Sequence, residues 1–322
     1  MSIFNLTTGD SVFGLDIGFE TLKLVELKKT KKGVLLVGAF EVPLTERILE
    51  KDCFKNKAAT ANLIKEACRK AKPNSILARK IVSALPETFV FSKTIQMPKM
   101  SDEEYAIAIP VEAAKYLPIP VEEVYLDYQV LIVHPDEPLA DILIVASPKK
   151  LVDEYVEVTK MAGFELVALE TKPIAVGRSI GMSHSLDSTV IIEIGTELSR
   201  LSIWDNQNIR LITSINIGKN QISENLSDKE NRDSLEGNPA AASIVSETIN
   251  AIKYHQNRDY KPNAVNSILI SGSGAKIPGL AELIAKELKI DTEIVTPKLI
   301  GKLQLGSEYI TSYGLALRNE LE

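Results

Sequence analysis

The chain has 322 residues, with 37 Lys plus Arg against 43 Asp plus Glu and a formal charge of −6 at pH 7. That balance excludes a surface built throughout to grip nucleic acid phosphates. An apolar fraction of 45% and a charged fraction of 25% exclude wholesale disorder and a fibrous repeat, and the length suits about two domains at roughly 150 residues each.

The longest apolar runs fall well short of the ~18 to 20 residues that cross a bilayer. Residues 1–9 carry neither a basic n-region nor a long apolar core, so no secretory signal is expected and the predicted location is the cytoplasm. Cys53 and Cys68 read as small buried thiols in a helical region, since a disulfide framework or a four-ligand zinc site needs more ligands. His134, His184 and His255 are scattered without metal-ligand spacing.

Residues 12–18 form an apolar strand that ends in an acid and a glycine, Asp16-Ile17-Gly18. Residues 22–27 then alternate apolar and charged, 28–33 make a polar turn, and 34–42 give a third strand. Residues 58–71 follow a helical period through Ala61, Ile64, Ala67, Cys68 and Ala71, and 81–85 is a buried strand. Next comes a helix at 101–116, with Ser101 as N-cap, Glu104 completing a capping box, and Pro110 kinking or splitting it near Ile109. Strands at 125–133 and 141–146 are joined by an exposed loop at 134–139. A helix at 149–162 ends at Gly163, and 165–170 is a strand. This set reads as an inserted α+β subdomain suited to partner binding.

The opening pattern then returns. Residues 190–195 are a strand ending Glu193-Ile194-Gly195; strands at 198–204 and 209–217 meet at the turn 206–208. A helix at 241–256 and a strand at 267–271 complete the repeat, while 223–238 reads as a solvated loop or short helix. The strand 267–271 runs into Gly272-Ser273-Gly274 and a helix at 280–288, and 313–317 is an apolar packing helix. Two similar α/β units facing each other put ligand chemistry in the cleft between them.

In each acid-x-Gly turn, glycine lets the backbone approach an anion without a Cβ in the way. Two facing hairpins can hold a phosphate chain, and Asp16 and Glu193 can organise water around Mg²⁺. Thr21 adds a hydroxyl and Lys23 a point charge suited to phosphate. The glycine turn at 272–274 is neither a Walker A loop nor GxGxxG; it is a strand-turn-helix device for close nucleotide approach, or a tight turn with no ligand.

These residues resemble the actin-like ATPase superfamily, which includes actin, sugar kinases and bacterial FtsA. Asp16-Ile17-Gly18 looks like its first phosphate loop, Glu193-Ile194-Gly195 like its second, and Ile270 to Gly274 like its adenosine motif. Within it the chain resembles the PilM family of type IV pilus assembly proteins. That resemblance is carried by Met97-Pro98-Lys99-Met100-Ser101, Glu112 to Pro118, Glu123 to Tyr128, Pro148 to Tyr155 and Ala162-Gly163-Phe164. It implies an actin-like (ribonuclease H-like) α/β fold of duplicated domains with an inserted α+β subdomain in the first. The expected division is 1–96, an insertion at 97–170, a helix and crossover at 171–187, and a second domain at 188–322 with a short subdomain near 218–266.

The resemblance implies a cytoplasmic scaffold of the pilus inner-membrane platform that binds ATP or ADP with Mg²⁺. It would hold the N-terminal peptide of a PilN-type membrane protein between the first domain and the insertion, touching the membrane only through that partner. The expected nucleotide contacts are Asp16, Gly18, Phe19, Glu20, Thr21, Lys23, Glu193, Gly195, Thr196, Gly218, Glu247, Gly272, Ser273, Gly274 and Lys276, with Asp16 and Glu193 behind the metal-bound water. No catalytic residue is assigned. Pilus motor ATPases as partners and a homo-oligomeric ring are compatible with the resemblance. Glu193 stands where the family usually has Asp, Phe19 and Glu20 replace small hydroxyl residues, and Asn250 and Ala251 replace Arg and Ser. Together these departures lower the expectation of hydrolysis more than that of the fold. An active ATPase and an FtsA-like filament-forming cell-division protein are the alternatives.

Overall fold

The computed structural model describes residues 11–50, 53–133, 138–224, 235, 237–257 and 262–318. The readings of 1–9, of loop positions 134–137 and of most of 223–238 lie outside the described residues. The first half runs β1 (Val12–Ile17), β2 (Thr21–Thr30), β3 (Gly33–Pro43), β4 (Leu49–Glu50), β5 (Cys53–Phe54), α1 (Lys57–Lys70), β6 (Lys72–Pro73) and β7 (Lys80–Leu85). Then come β8 (Phe91–Pro98), α2 (Asp102–Ala113), β9 (Val124–Val133), β10 (Leu139–Pro148), α3 (Lys149–Met161), β11 (Glu165–Thr171) and α4 (Lys172–Gly181). The second half is β12 (Thr189–Ile194), β13 (Ser199–Asp205), β14 (Asn208–Ile215), α5 (Lys219–Glu224), α6 (Pro239–Gln256), β15 (Ser267–Ser271), α7 (Leu280–Leu288), β16 (Asp291–Ile294) and α8 (Ile310–Ala316).

The two large sheets share one plan. The first is ordered β11-β7-β1-β2-β3-β6 and the second β16-β15-β12-β13-β14. In each, the strand carrying the acid pairs antiparallel with the next strand and parallel with a later one. Strand alternation sorts the side chains. Phe13, Leu15 and Ile17 enter a core with Ile64 and Cys68 of α1 and Leu151, Tyr155 and Val158 of α3. Val190, Ile192 and Ile194 enter the matching core with Ile244 of α6 and Leu280 and Ile284 of α7. The turn between β13 and β14 puts Asn206 and Gln207 at φ 52° and 63°, the left-handed pair that suits the twist of a tight hairpin.

The terminal helix of each half packs on the other half. Val176 and Ile180 of α4 join Ile191, Trp204 and Leu269 of the second sheet. In return, Tyr313 and Ala316 of α8 pack with Val25 and Leu27, and Leu315 with Val12 and Val82. The helices meet where a Cβ on Gly314 would lie 1.9 Å from the Ala175 carbonyl oxygen, so only glycine allows this approach. Gly177 makes room for the Trp204 ring in the same way.

The insertion differs in extent from the expectation. Its sheet is β8-β10-β9, with α2 on one face through Tyr105 and Ile109; β11, expected within it, instead pairs parallel with β7 in the large sheet. Parallel neighbours need a crossover, and α3, packed on the first core, supplies it, with the three-stranded sheet spliced in ahead. The capping box at Ser101 forms, with Glu104 N donating to Ser101 Oγ at 3.3 Å and Ser101 N donating to Glu104 Oε2 at 2.8 Å. Pro110 does not split α2, because it falls in the last turn and few intrahelical bonds remain to be lost. Cys68 is buried on α1, with burial the chief cause pushing its thiol up to about 12, whereas Cys53 lies on β5 rather than on a helix. Among the described residues, no helix is long and apolar enough to cross a membrane.

Candidate functional site

The ends of β1 and β12 build matching turns. Gly18 N donates to the Thr21 carbonyl at 2.8 Å, and Gly195 N to the Leu198 carbonyl at 3.0 Å. A Cβ on Gly195 would sit 2.7 Å from that Leu198 oxygen, which is why glycine is needed there. The hairpin register places a cation directly across from each acid: Asp16 faces Lys23, and Glu193 faces Arg200. Alternation turns both acids away from the large cores and toward the first turns of α4 and α8.

Each acid is buried and already partnered. Lys172 Nζ, at the start of α4, lies 2.6 Å from Asp16 Oδ1. Burial pushes the Asp16 carboxyl up, but Lys172, Lys23 and Arg200 together outweigh it and hold the group below its ordinary 3.8. Glu193 Oε2 lies 3.2 Å from Arg200 Nη1, and its Oε1 accepts from Thr311 Oγ1 of α8 at 3.0 Å. Lys23 is buried too, donating to Thr21 Oγ1 at 2.5 Å with Glu41 4.0 Å away.

The strand-turn-helix element closes the same place from the second half. Gly272 has φ +90°, and its Cβ would lie 2.4 Å from the Ile194 carbonyl oxygen. Gly274 N donates to that oxygen at 2.9 Å. Both glycines are therefore required first for packing the turn on β12. Glu308 lies beside it, paired with Lys276 at 2.9 Å, and this ion pair holds the Glu308 carboxyl below its ordinary value although burial raises it.

Asp16, Gly18, Phe19, Thr21, Lys23, Glu193, Gly195, Thr196, Gly272 and Ser273 line one gap of about 50 Å³. Five expected contacts are not in its lining. Gly218 packs on the backbone of Thr196 and Glu197, and Gly274 on Ile194. Glu247 is exposed on α6, Lys276 is engaged by Glu308, and Glu20 accepts from Asn220 Nδ2 at 2.6 Å. Sequence reasoning missed Lys172, Arg200 and Glu308, all in the lining. Arg200 was recoverable from hairpin register; Lys172 carried no local signal.

A second cavity of about 500 Å³ shares Gly18, Phe19, Lys172, Leu198 and Arg200 with the gap and continues past Ile48, Leu49 and Phe89. Two contacts tie each hairpin tip to the opposite half: Glu20 to Asn220 of α5, and Glu197 to Arg47, which lies between β3 and β4. Arg47 also lies 5.0 Å from the Phe19 ring centroid.

Phosphate fits this donor set, because Lys23, Lys172 and Arg200 all border the gap. Mg²⁺ does not fit it. That ion takes oxygen ligands and keeps its waters around one or two carboxylates, and here a lysine and an arginine occupy the two carboxylates that would serve. The expected water-mediated metal role of Asp16 and Glu193 is at odds with this pairing.

A solved PilM–PilN type IV pilus biogenesis complex contains a chain similar to this one, at 24% identity, with 96% of this chain and 98% of that one covered and a TM-score of 0.80. The ethanolamine utilization protein EutJ of Carboxydothermus hydrogenoformans matches at 12% identity over 98% and 92% of the two chains, with a TM-score of 0.57. MreB5 of Spiroplasma citri bound to ADP matches at 13% identity over 97% of each, with a TM-score of 0.53. The fold is therefore actin-like. Residues 14–238, well over half of the chain, match the family of the type IV pilus assembly protein PilM, and the chain belongs to that family.

Proposed function

We propose that the chain is a scaffold of a type IV pilus assembly platform, working on the cytoplasmic side of the membrane. It holds the N-terminal peptide of a PilN-type membrane protein between its first domain and its insertion, and a nucleotide, ATP or ADP, in the interdomain cleft. The family match across both the first domain and the insertion carries this reading. The similar chain in the PilM–PilN complex supports the choice of partner, and the ADP-bound MreB5 supports the choice of cleft ligand.

The gap of about 50 Å³ is smaller than a nucleotide. It therefore takes the phosphate end, and the adjoining cavity of about 500 Å³, which shares Gly18, Phe19, Lys172, Leu198 and Arg200 with it, offers further room. Calorimetric titration of the full chain with a synthetic PilN-type N-terminal peptide, with and without ATP, tests the proposal. Saturable one-to-one binding is expected, changed in affinity by ATP. Absence of peptide binding under both conditions sinks the scaffold reading.

A further inference from the structure

The cation pairing in the cleft has a chemical direction. Seating Mg²⁺ beside Asp16 and Glu193 requires Lys172 and Arg200 to withdraw from two buried carboxylates, at 2.6 and 3.2 Å, and to remain beside a dication. Both steps are costly, because a buried charge deprived of its partner is strongly destabilising. A phosphate requires neither. An ammonium has three donors and a guanidinium five, so Lys172 and Arg200 can keep their carboxylates and still donate to an anion in the gap. Lys23, directly across from Asp16, adds a third cation to the same wall. Glu308, also in the lining of the gap, is engaged by Lys276, and Glu41, outside the lining, lies 4.0 Å from Lys23.

We propose that this cleft takes the phosphate groups of its nucleotide without a divalent metal, with Lys172 as the fixed charge that stands in the metal's place. The inference rests on the nucleotide reading given above and adds to it the form of the ligand, which is the metal-free anion. Lys172 and Arg200 bind and orient the phosphate oxygens; Asp16 and Glu193 hold those cations in place. No metal-bound water is set up for attack, so the arrangement is one of retention, in which nucleotide stays intact.

The test is calorimetric titration of the full chain with ATP in EDTA and again in excess Mg²⁺. Affinity in EDTA is expected to equal or exceed that in Mg²⁺, because excess Mg²⁺ draws ATP away as its metal complex. Lys172→Ala is expected to weaken metal-free binding by about tenfold or more. It also frees Asp16, so that Mg²⁺ now strengthens binding. A purely structural role for Lys172 would lower affinity equally in both conditions and would overturn the assignment. The wild-type comparison needs no variant, so it decides even if Lys172→Ala does not fold. Wild-type binding that appears only with Mg²⁺ overturns the inference and leaves the nucleotide reading standing; binding in neither condition overturns both.

Discussion

Asp16 shows how one residue sets the character of the cleft. Its carboxylate is buried and depends on Lys172. Lys172→Met is expected to lower stability by about 3 to 5 kcal/mol through the uncompensated charge, and Asp16→Asn combined with Lys172→Met to recover most of it. Urea midpoints measure both. The pH dependence has a definite sign. Because folding depresses the Asp16 pKa below 3.8, the stabilisation is fully present above that value and is lost as pH falls through the lower folded value. The wild type should therefore outlast Asp16→Asn near neutrality and lose its advantage in acid; an advantage that grows on acidification would refute the pairing. The acids and glycines of both turns were legible in sequence because they repeat. Lys172 was not, since its partner lies more than 150 positions away and only the packing of α4 brings the two together.

At the scale of elements, the crossing of α4 and α8 is the tightest joint. Gly314→Val would drive its side chain into the Ala175 carbonyl, and a loss of about 1 to 3 kcal/mol or more is expected, read as a fall in thermal midpoint. An unchanged midpoint would mean that the joint relaxes freely. The hairpins, α1 and α7 were readable from period and turn chemistry. The strand β8 escaped because Phe91 to Pro98 mixes polar and apolar residues next to a proline break. β11 was grouped with its sequence neighbours, although its register partner is β7; short-range pattern identifies a strand but not the sheet that claims it.

Across the whole molecule, the insertion is bolted to the second half as well as to the first. Arg210 of β14 donates to Asp141 of β10 at 2.8 Å, both side chains almost wholly buried, and Leu143 of β10 joins the core under Trp204. Arg210→Met is expected to cost about 3 to 5 kcal/mol, whereas Arg210→Met with Asp141→Leu should recover much of it; chemical denaturation of the three variants measures the difference. The exchange of α4 and α8 also has a consequence for how the chain is made. One face of the first sheet is covered in part by α8, which follows β1, β2 and β7 in the chain by more than 200 positions. As the chain leaves the ribosome, Val12, Val25 and Val82 therefore lack part of their native cover until residues 310–316 have emerged, long after their own strands have.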